Sequence, residues 1–298
     1  VSAPLSVASP EHAPRRSWAQ RAAIVVVAGL VAIALSAGWL LWDNRRLDVT
    51  SYEVPVPQLP EAVDGLRIAQ VSDLHAASFG SFPDRLVTAV EAAQPDLVAV
   101  TGDLIDIRTV ELDGVLAVMR QLQQIAPTYF VLGNHEAESV LRGELLSGLE
   151  DLGVVILRDE AVTEEIAGSS ITLVGLDDPR VDLSAGRDAK SPREILSGLE
   201  LPEGRATILL AHRPELLDDY AGTGIDLVLA GHAHGGQVRV PGIGALFASH
   251  QGWFPELTEG VHSRGETSLV ISRGLGNSIA GVRVNNPREL IVVDLRTA

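Results

Sequence analysis

With 298 residues and no cysteine, the chain can bury a substantial core but has no disulfide framework, thiolate zinc site or cysteine nucleophile. Its formal net charge is -16; the first fifty residues hold five arginines against Glu11, Asp43 and Asp48, so the remainder carries -18. So acidic a body repels a phosphate backbone, which argues against nucleic-acid binding through a basic face.

Residues 1–21 form a Pro/Ser/Ala-rich tail expected to be disordered. Residues 22–42 then run for 21 positions without a charge, close to the ~20 needed to span a bilayer as a helix. Trp39 and Trp42 stand at the far end, where interfacial aromatics belong. Leu35-Ser36-Ala37 offers small residues for signal cleavage, but the apolar run continues through Trp42, which favours a retained anchor. Arg15, Arg16 and Arg21 precede the span, and Arg45 and Arg46 follow it. This bias places the N-terminus in the cytoplasm. The expected topology is a single-pass signal-anchor in the cell membrane, with residues 43–298 as one extracytoplasmic domain.

Residues 49–56 read as a strand that Pro55 and Pro57 confine to a sheet margin. So short a link holds the domain against the bilayer. Beyond it, short Val/Ile/Leu-rich runs at 67–72, 97–101, 129–132, 171–175, 207–211 and 226–230 alternate with helical stretches at 83–93, 111–124, 138–152 and 214–220. Buried strands alternating with helices indicate an α/β architecture. After Gln237 the pattern changes to strands at 238–240, 268–272 and 289–294 with glycine-rich connections.

The ends of these apolar strands carry coordinating residues. The first gives Ser72-Asp73-Leu74-His75, the second Thr101-Gly102-Asp103, and the third Gly133-Asn134-His135-Glu136. Ala211-His212 and Gly231-His232-Ala233-His234-Gly235-Gly236-Gln237 follow two later strands. Taken singly, Asp73 and Asp103 serve equally as helix caps or Asx turns, Asn134 as a turn residue, and His212 as a hydrogen-bonded structural histidine. Their recurrence at successive strand ends along one sheet edge, where ligands collect in α/β sheets, points instead to metal, since neutral imidazole is a common ligand.

The ordered set Asp-x-His, Gly-Asp, Gly-Asn-His-Glu, His and Gly-His-x-His resembles the calcineurin-like metallophosphoesterases. Gly175-Leu176-Asp177-Asp178, Ser272-Arg273-Gly274-Leu275-Gly276 and the run from Gly231 to Pro241 are similar to a membrane-associated bacterial branch of that family. One departure is Asn286-Pro287-Arg288-Glu289, where the pattern puts Pro directly before Glu. The resemblance implies a four-layer α-β-β-α sandwich of two mixed sheets with the site at the sheet edges. It assigns Asp73, His75 and His234 to one divalent transition metal and Asn134, His212 and His232 to a second, with Asp103 bridging. Mixed carboxylate, amide and imidazole ligands suit Mn²⁺, Fe or Zn²⁺.

The activity implied is phosphodiester or pyrophosphate hydrolysis at the membrane or cell envelope, by metal-activated hydroxide attacking phosphorus in line. His135 would protonate or stabilise the leaving oxygen, the alternative being a histidine that only orients its neighbours; Glu136 reads as a supporting acid. Phosphomonoesterase or protein phosphatase activity, and a non-catalytic metal-binding scaffold, are the competing readings. Arg213, Arg273 and Arg283 are candidates to orient phosphate. The substrate is a phosphoester, for which the tether favours a lipid-linked or envelope molecule. Phe247, Trp253 and Phe254 either cap the core beneath a long loop or form an apolar lip beside the metals.

Overall fold

The computed structural model describes residues 17–77, 80–277 and 281–298; most of the predicted tail lies outside them. The chain divides into a unit ending at Trp42 and a second unit, Asp43–Ala298. The first contains helix α1 (Trp18–Asp43), 26 residues with a mean hydropathy of 2.5, long and apolar enough to cross a membrane. It starts four residues before the uncharged run. There Ser17 and Gln20 cap each other's backbone N–H groups reciprocally, at 2.9 and 3.3 Å.

The second unit is built on two six-stranded sheets. The first sheet comprises β1 (Leu47–Val56), β2 (Arg67–Val71), β3 (Leu97–Val100), β4 (Thr128–Phe130), β5 (Val155–Ile156) and the last strand of the chain. The second sheet contains β6 (Glu160–Ile166), β7 (Ser169–Gly175), β8 (Thr207–Leu210) and β9 (Leu227–Ala230). Two small hairpins follow: β10 (Arg239–Val240) with β11 (Gly244–Ala245), then β12 (Phe247–Ala248) with β13 (Gly252–Trp253). Then come β14 (Gly260–Arg264) and β15 (Thr267–Ile271), which complete the second sheet, and β16 (Arg288–Thr297), which returns to the first.

Both sheets are mixed. In the first, β1 runs parallel to β16, β16 antiparallel to β2, and β2 through β5 are parallel. In the second, β15, β9, β8 and β7 are parallel, and β14 and β6 close the edges antiparallel. β1 is an edge strand, paired only with β16, as its prolines require.

Strand alternation explains the layers. Ile68, Leu97, Ala99, Ile208, Leu210, Leu227 and Leu229 turn inward and form a core between the sheets. Their neighbours Ala69, Val71, Val98 and Val100 face out against α2 (Phe82–Ala93), α3 (Asp113–Ile125) and α5 (Arg142–Asp151). On the far side Leu209, Val228 and Ala230 pack under α7 (Pro192–Gly198) and α8 (Leu217–Tyr220). A period of two with both faces apolar is what a sheet covered on both sides requires, and the result is the expected α-β-β-α sandwich.

Two differences from the sequence reading concern the loops. The helix expected at 138–152 is two helices, α4 (Asn134–Glu138) and α5. They break at Ser139, whose hydroxyl accepts the Leu141 N–H at 3.1 Å, a local bond that competes with helix continuation. The remaining short helix, α6 (Arg180–Ser184), follows the Asp177-Asp178 loop. The coordinating residues, moreover, do not share one sheet edge. β2, β3 and β4 deliver theirs from the first sheet, and β8 and β9 from the second. The sheets are joined beneath them by Gln70, whose amide donates to the Ala230 carbonyl at 2.8 Å.

Candidate metal centre

The five loops place their residues in two adjoining groups. In one, ligand atoms of Asp73, His75 and His234 lie within 4.8 Å of one another; in the other, those of Asp103, His212 and His232 do. All six residues are buried. His75 Nε2 and His234 Nε2 are 3.0 Å apart, and His234 Nε2 is 3.4 Å from Asp73 Oδ1. In the second group His212 Nε2 faces Asn134 Oδ1 at 3.2 Å, His232 Nδ1 at 3.2 Å and Asp103 Oδ2 at 3.2 Å. Asp103 Oδ2 also lies 3.7 Å from His75 Nε2 in the first group, so this carboxylate stands between the two.

Local backbone strain marks the same residues. Asp73, His75, Asp103, His232 and His234 all have positive φ, between 47° and 63°. For residues with a Cβ this costs about 1–3 kcal/mol each and persists only where surroundings over-determine it. Two glycines make room: a Cβ on Gly133 would overlap the Asp103 carboxylate, and one on Gly231 would overlap Ser72 and Asp73.

The carboxylates are held from behind. Asp73 accepts from the Ser72 hydroxyl at 2.7 Å and from the His232 N–H at 3.0 Å. Asp103 Oδ1 accepts the His135 N–H at 2.9 Å. Glu136 lies fully buried and gathers three backbone N–H groups, from Asp103 (2.8 Å), Gly133 (2.9 Å) and Ile105 (3.0 Å). Burial, and then the charge of Asp103, push its carboxyl up to about 7. Glu136 thereby fixes the loop that carries Asp103. Glu136→Gln turns one acceptor oxygen into a donor facing those N–H groups. The expected loss is about 1–3 kcal/mol of stability, with metal affinity weakened ~10–100-fold as for other outer-shell partners. Thermal melts and a metal titration check both.

The donor set fits divalent metal. His212 Nδ1 is 2.8 Å from the Thr101 carbonyl, which obliges that nitrogen to carry the proton and leaves Nε2 as a lone pair in the neutral ring. In that neutral ring the lone pair faces an amide oxygen, a carboxylate oxygen and the His232 ring nitrogen, acceptors that either a proton on Nε2 or a metal cation reconciles. Burial opposes charge on His212, but the neighbouring Asp103 carboxylate outweighs it and lifts the imidazole to about 10, so without metal the ring carries a proton that a dication would displace. Burial pushes Asp73 up to about 6 and His75 down to about 4. It also holds His232 and His234 well below the usual histidine range. His75, His232 and His234 are thus held neutral beside buried carboxylates, the state in which imidazole coordinates a dication.

His135 lies beside both groups. Its Nδ1 accepts the Ile107 N–H at 3.2 Å, so the neutral ring carries its proton on Nε2, and Nε2 is 3.9 Å from Asp103 Oδ2. A donor therefore faces the centre.

The three arginines are engaged by protein groups. Arg213 grips Asp178 through Nε and Nη2 at 2.6 and 3.1 Å. Arg273 pairs with Glu289 at 2.9 Å. Arg283 is fully buried, donating to the carbonyls of Gly276 and Arg273 at 2.6 Å, with Nη2 3.3 Å from His234 Nδ1. Sequence reasoning passed over Asp106, whose carboxylate lies 3.6 Å from His135 Nδ1. It also passed over His250, whose Nδ1 is 3.0 Å from His232 Nε2, and Glu215 behind it. None of these follows an apolar strand directly, which was the signal that found the others.

A two-sheet α/β sandwich with adjoining groups of buried imidazoles and carboxylates at its strand ends is the arrangement of a metallohydrolase. The chain belongs to the calcineurin-like phosphoesterase family, whose model matches residues 66–236. Among its relatives, an uncharacterized metallophosphoesterase of Campylobacter jejuni is 29% identical over 254 residues, covering 84% of this chain and 63% of that protein. A Bos taurus transmembrane protein with metallophosphoesterase domain is 33% identical, covering 75% of this chain and 52% of its own. Phosphodiesterase YaeI of Escherichia coli is 30% identical, covering 77% of this chain and 82% of its own. The chain thus spans less than two thirds of the first two relatives.

Proposed function

We propose that this protein is a membrane-anchored phosphodiesterase or pyrophosphatase that uses two divalent transition metals. The observation that carries the reading is Asp103, whose carboxylate stands between two buried imidazole groups with the His135 Nε2 donor beside it. Asp73, His75 and His234 would hold one metal, Asn134, His212 and His232 the other, and Asp103 would join them. When bound, the metals supply Lewis acidity that activates water and neutralises phosphate charge.

The chain's own residues then divide the work. Thr101 and Glu136 hold His212 and Asp103 in orientation, and the burial of the site excludes bulk water. His135, fixed by the Ile107 N–H as the Nε2–H tautomer, donates a hydrogen bond to the leaving oxygen and stabilises the charge that develops there. A phosphodiester or pyrophosphate has a leaving group poor enough to benefit from that hydrogen bond. For the arginines, contact with phosphate would compete with the carboxylates and carbonyls they already serve, so Arg213, Arg273 and Arg283 act as positioning groups for the loops around the ligands.

Membrane anchoring is supported by α1, by the arginine bias ahead of it, and by the name of the bovine relative. The arginines favour an extracytoplasmic catalytic unit. The test is turnover by the purified full chain loaded with Mn²⁺, against phosphomonoesters, phosphodiesters and lipid pyrophosphates. Hydrolysis of diesters or pyrophosphates, abolished by chelation and restored by metal, is expected. Preference for monoesters would favour a phosphomonoesterase, and metal binding without turnover of any class a scaffold.

A further inference from the structure

The aromatic segment after the histidine pair is not core. Phe247 is 49% exposed, Trp253 72% and Phe254 63%. Phe247 and Trp253 face each other across the β12–β13 pair, with ring centroids 5.7 Å apart in an edge-to-face contact. Aromatics left this open on a stiff two-stranded hairpin contribute little to stability, and exposed apolar patches of this kind mark binding surfaces.

The hairpin walls a cavity of about 370 Å³, within the range of small-molecule sites. The cavity is lined by Leu246, Phe247, Ala248 and Trp253 on one part and by the ligand-type residues His232 and His234 on another. No lining residue is charged. The lining also includes Gln237, whose side-chain Nε2 and Oε1 are buried and have no hydrogen-bond partner among the described residues.

We infer that this cavity is a subsite for the hydrocarbon chain of an amphiphilic phosphoester, whose phosphate lies at the two imidazole groups. The inference rests on the proposed hydrolase reading and narrows its substrate class. Three observations choose a substrate chain over other occupants. The cavity wall includes His232 and His234 themselves, so an occupant is continuous with the reacting centre, which a surface-docked protein need not be. The lining is largely apolar and carries no acidic, lysine or arginine side chain, matching a hydrocarbon chain rather than a charged group. And α1, long and apolar enough to cross a membrane, is joined to β1 by a link of three residues, so the proposed anchor would keep the second unit tethered near lipid.

The test uses the full chain in nanodiscs, loaded with Mn²⁺. Matched 4-nitrophenyl alkyl phosphodiesters, methyl through octyl, keep the leaving group constant while the chain lengthens. Binding of methyl- and octylphosphonate is measured separately, by calorimetry. Chain length should raise kcat/KM and phosphonate affinity by about tenfold or more from methyl to octyl, since each buried methylene contributes up to about fourfold. Trp253→Ala with Phe247→Ala should bring the octyl-to-methyl ratio towards one. Ser249→Phe, which fills the cavity without removing an aromatic, should do the same.

A wild-type ratio near one in both measurements overturns the subsite, while turnover of the methyl ester leaves the hydrolase reading standing. Failure to turn over any ester, with octylphosphonate still bound preferentially, would sink the hydrolase reading and keep the subsite. A strong ratio that survives both variants also overturns it, and would place the chain against the bilayer instead.

Discussion

His135→Ala is expected to keep its full metal content and lose about 10²–10⁴-fold in kcat on a diester with a poor leaving group. The expectation rests on geometry. His135 meets the centre through its side-chain Nε2, 3.9 Å from Asp103 Oδ2, and stands outside the groups built on Asp73 and Asp103, although its ring also lies with His75 and Asp106 in a further group that could hold a metal. Its main-chain N–H, which holds Asp103 Oδ1, survives the substitution, so the carboxylate should stay in place. Because that hydrogen bond matters most where the departing oxygen is basic, the loss should shrink for a 4-nitrophenyl ester. Metal analysis and kinetics on the same preparation decide the matter. Loss of metal would make His135 a ligand, and an unchanged rate on the poor leaving group would leave it a purely structural neighbour of His75, 4.6 Å away ring to ring. Asp106 is a further neighbour, 3.6 Å from Nδ1, but the Ile107 N–H is what fixes the tautomer.

The residues that sequence reasoning found and those it missed differ in one physical respect. Asp73, Asp103, Asn134, His212 and His232 each stand within four residues of the end of a buried parallel strand. An apolar run followed abruptly by a coordinating side chain is visible without a structure. Asp106 and His250 lie further along their loops, and their positions depend on where the chain folds back. The arginines were read by charge alone. Their partners, Asp178 for Arg213 and Glu289 for Arg273, lie 35 and 16 residues away in sequence, and no local pattern couples such pairs.

Strand recognition failed for a related reason. β6 alternates half-buried and exposed positions and carries Glu160, Glu164 and Glu165, and β14 carries His262, Ser263 and Arg264 at a sheet edge. Edge strands show polar residues to solvent, so a search for apolar runs passes over them. The division of ligands between two sheets was equally hidden. The ligand-bearing strands look alike in sequence, and none of them marks that the chain crosses from the first sheet to the second between β5 and β6.

Asp103→Asn should reduce metal content from two per chain to one or fewer, and lower kcat/KM by at least the roughly 10²–10³-fold typical of removing one electrostatic partner of a transition state. The amide can still accept the His135 N–H through its oxygen, so the loop should fold. What it loses is charge at the atom between the groups, where Oδ2 meets His212 Nε2 at 3.2 Å and His75 Nε2 at 3.7 Å. Two dications brought close together repel each other, and an anionic bridge is what offsets that repulsion. The remaining ligands divide unequally once it is gone. Asp73 still gives the first group a carboxylate, whereas the second keeps only Asn134, His212 and His232, all neutral as ligands. The metal held with His212 and His232 should therefore be lost first. Elemental analysis after loading and removal of excess metal reads the stoichiometry, and the experiment belongs to the full chain, because β1 pairs along its whole length with β16 and a fragment starting at Leu66 would strip that edge. Retention of two metals by Asp103→Asn would show that the carboxylate does not bridge. A wild-type protein that never exceeds one would end the dinuclear reading altogether.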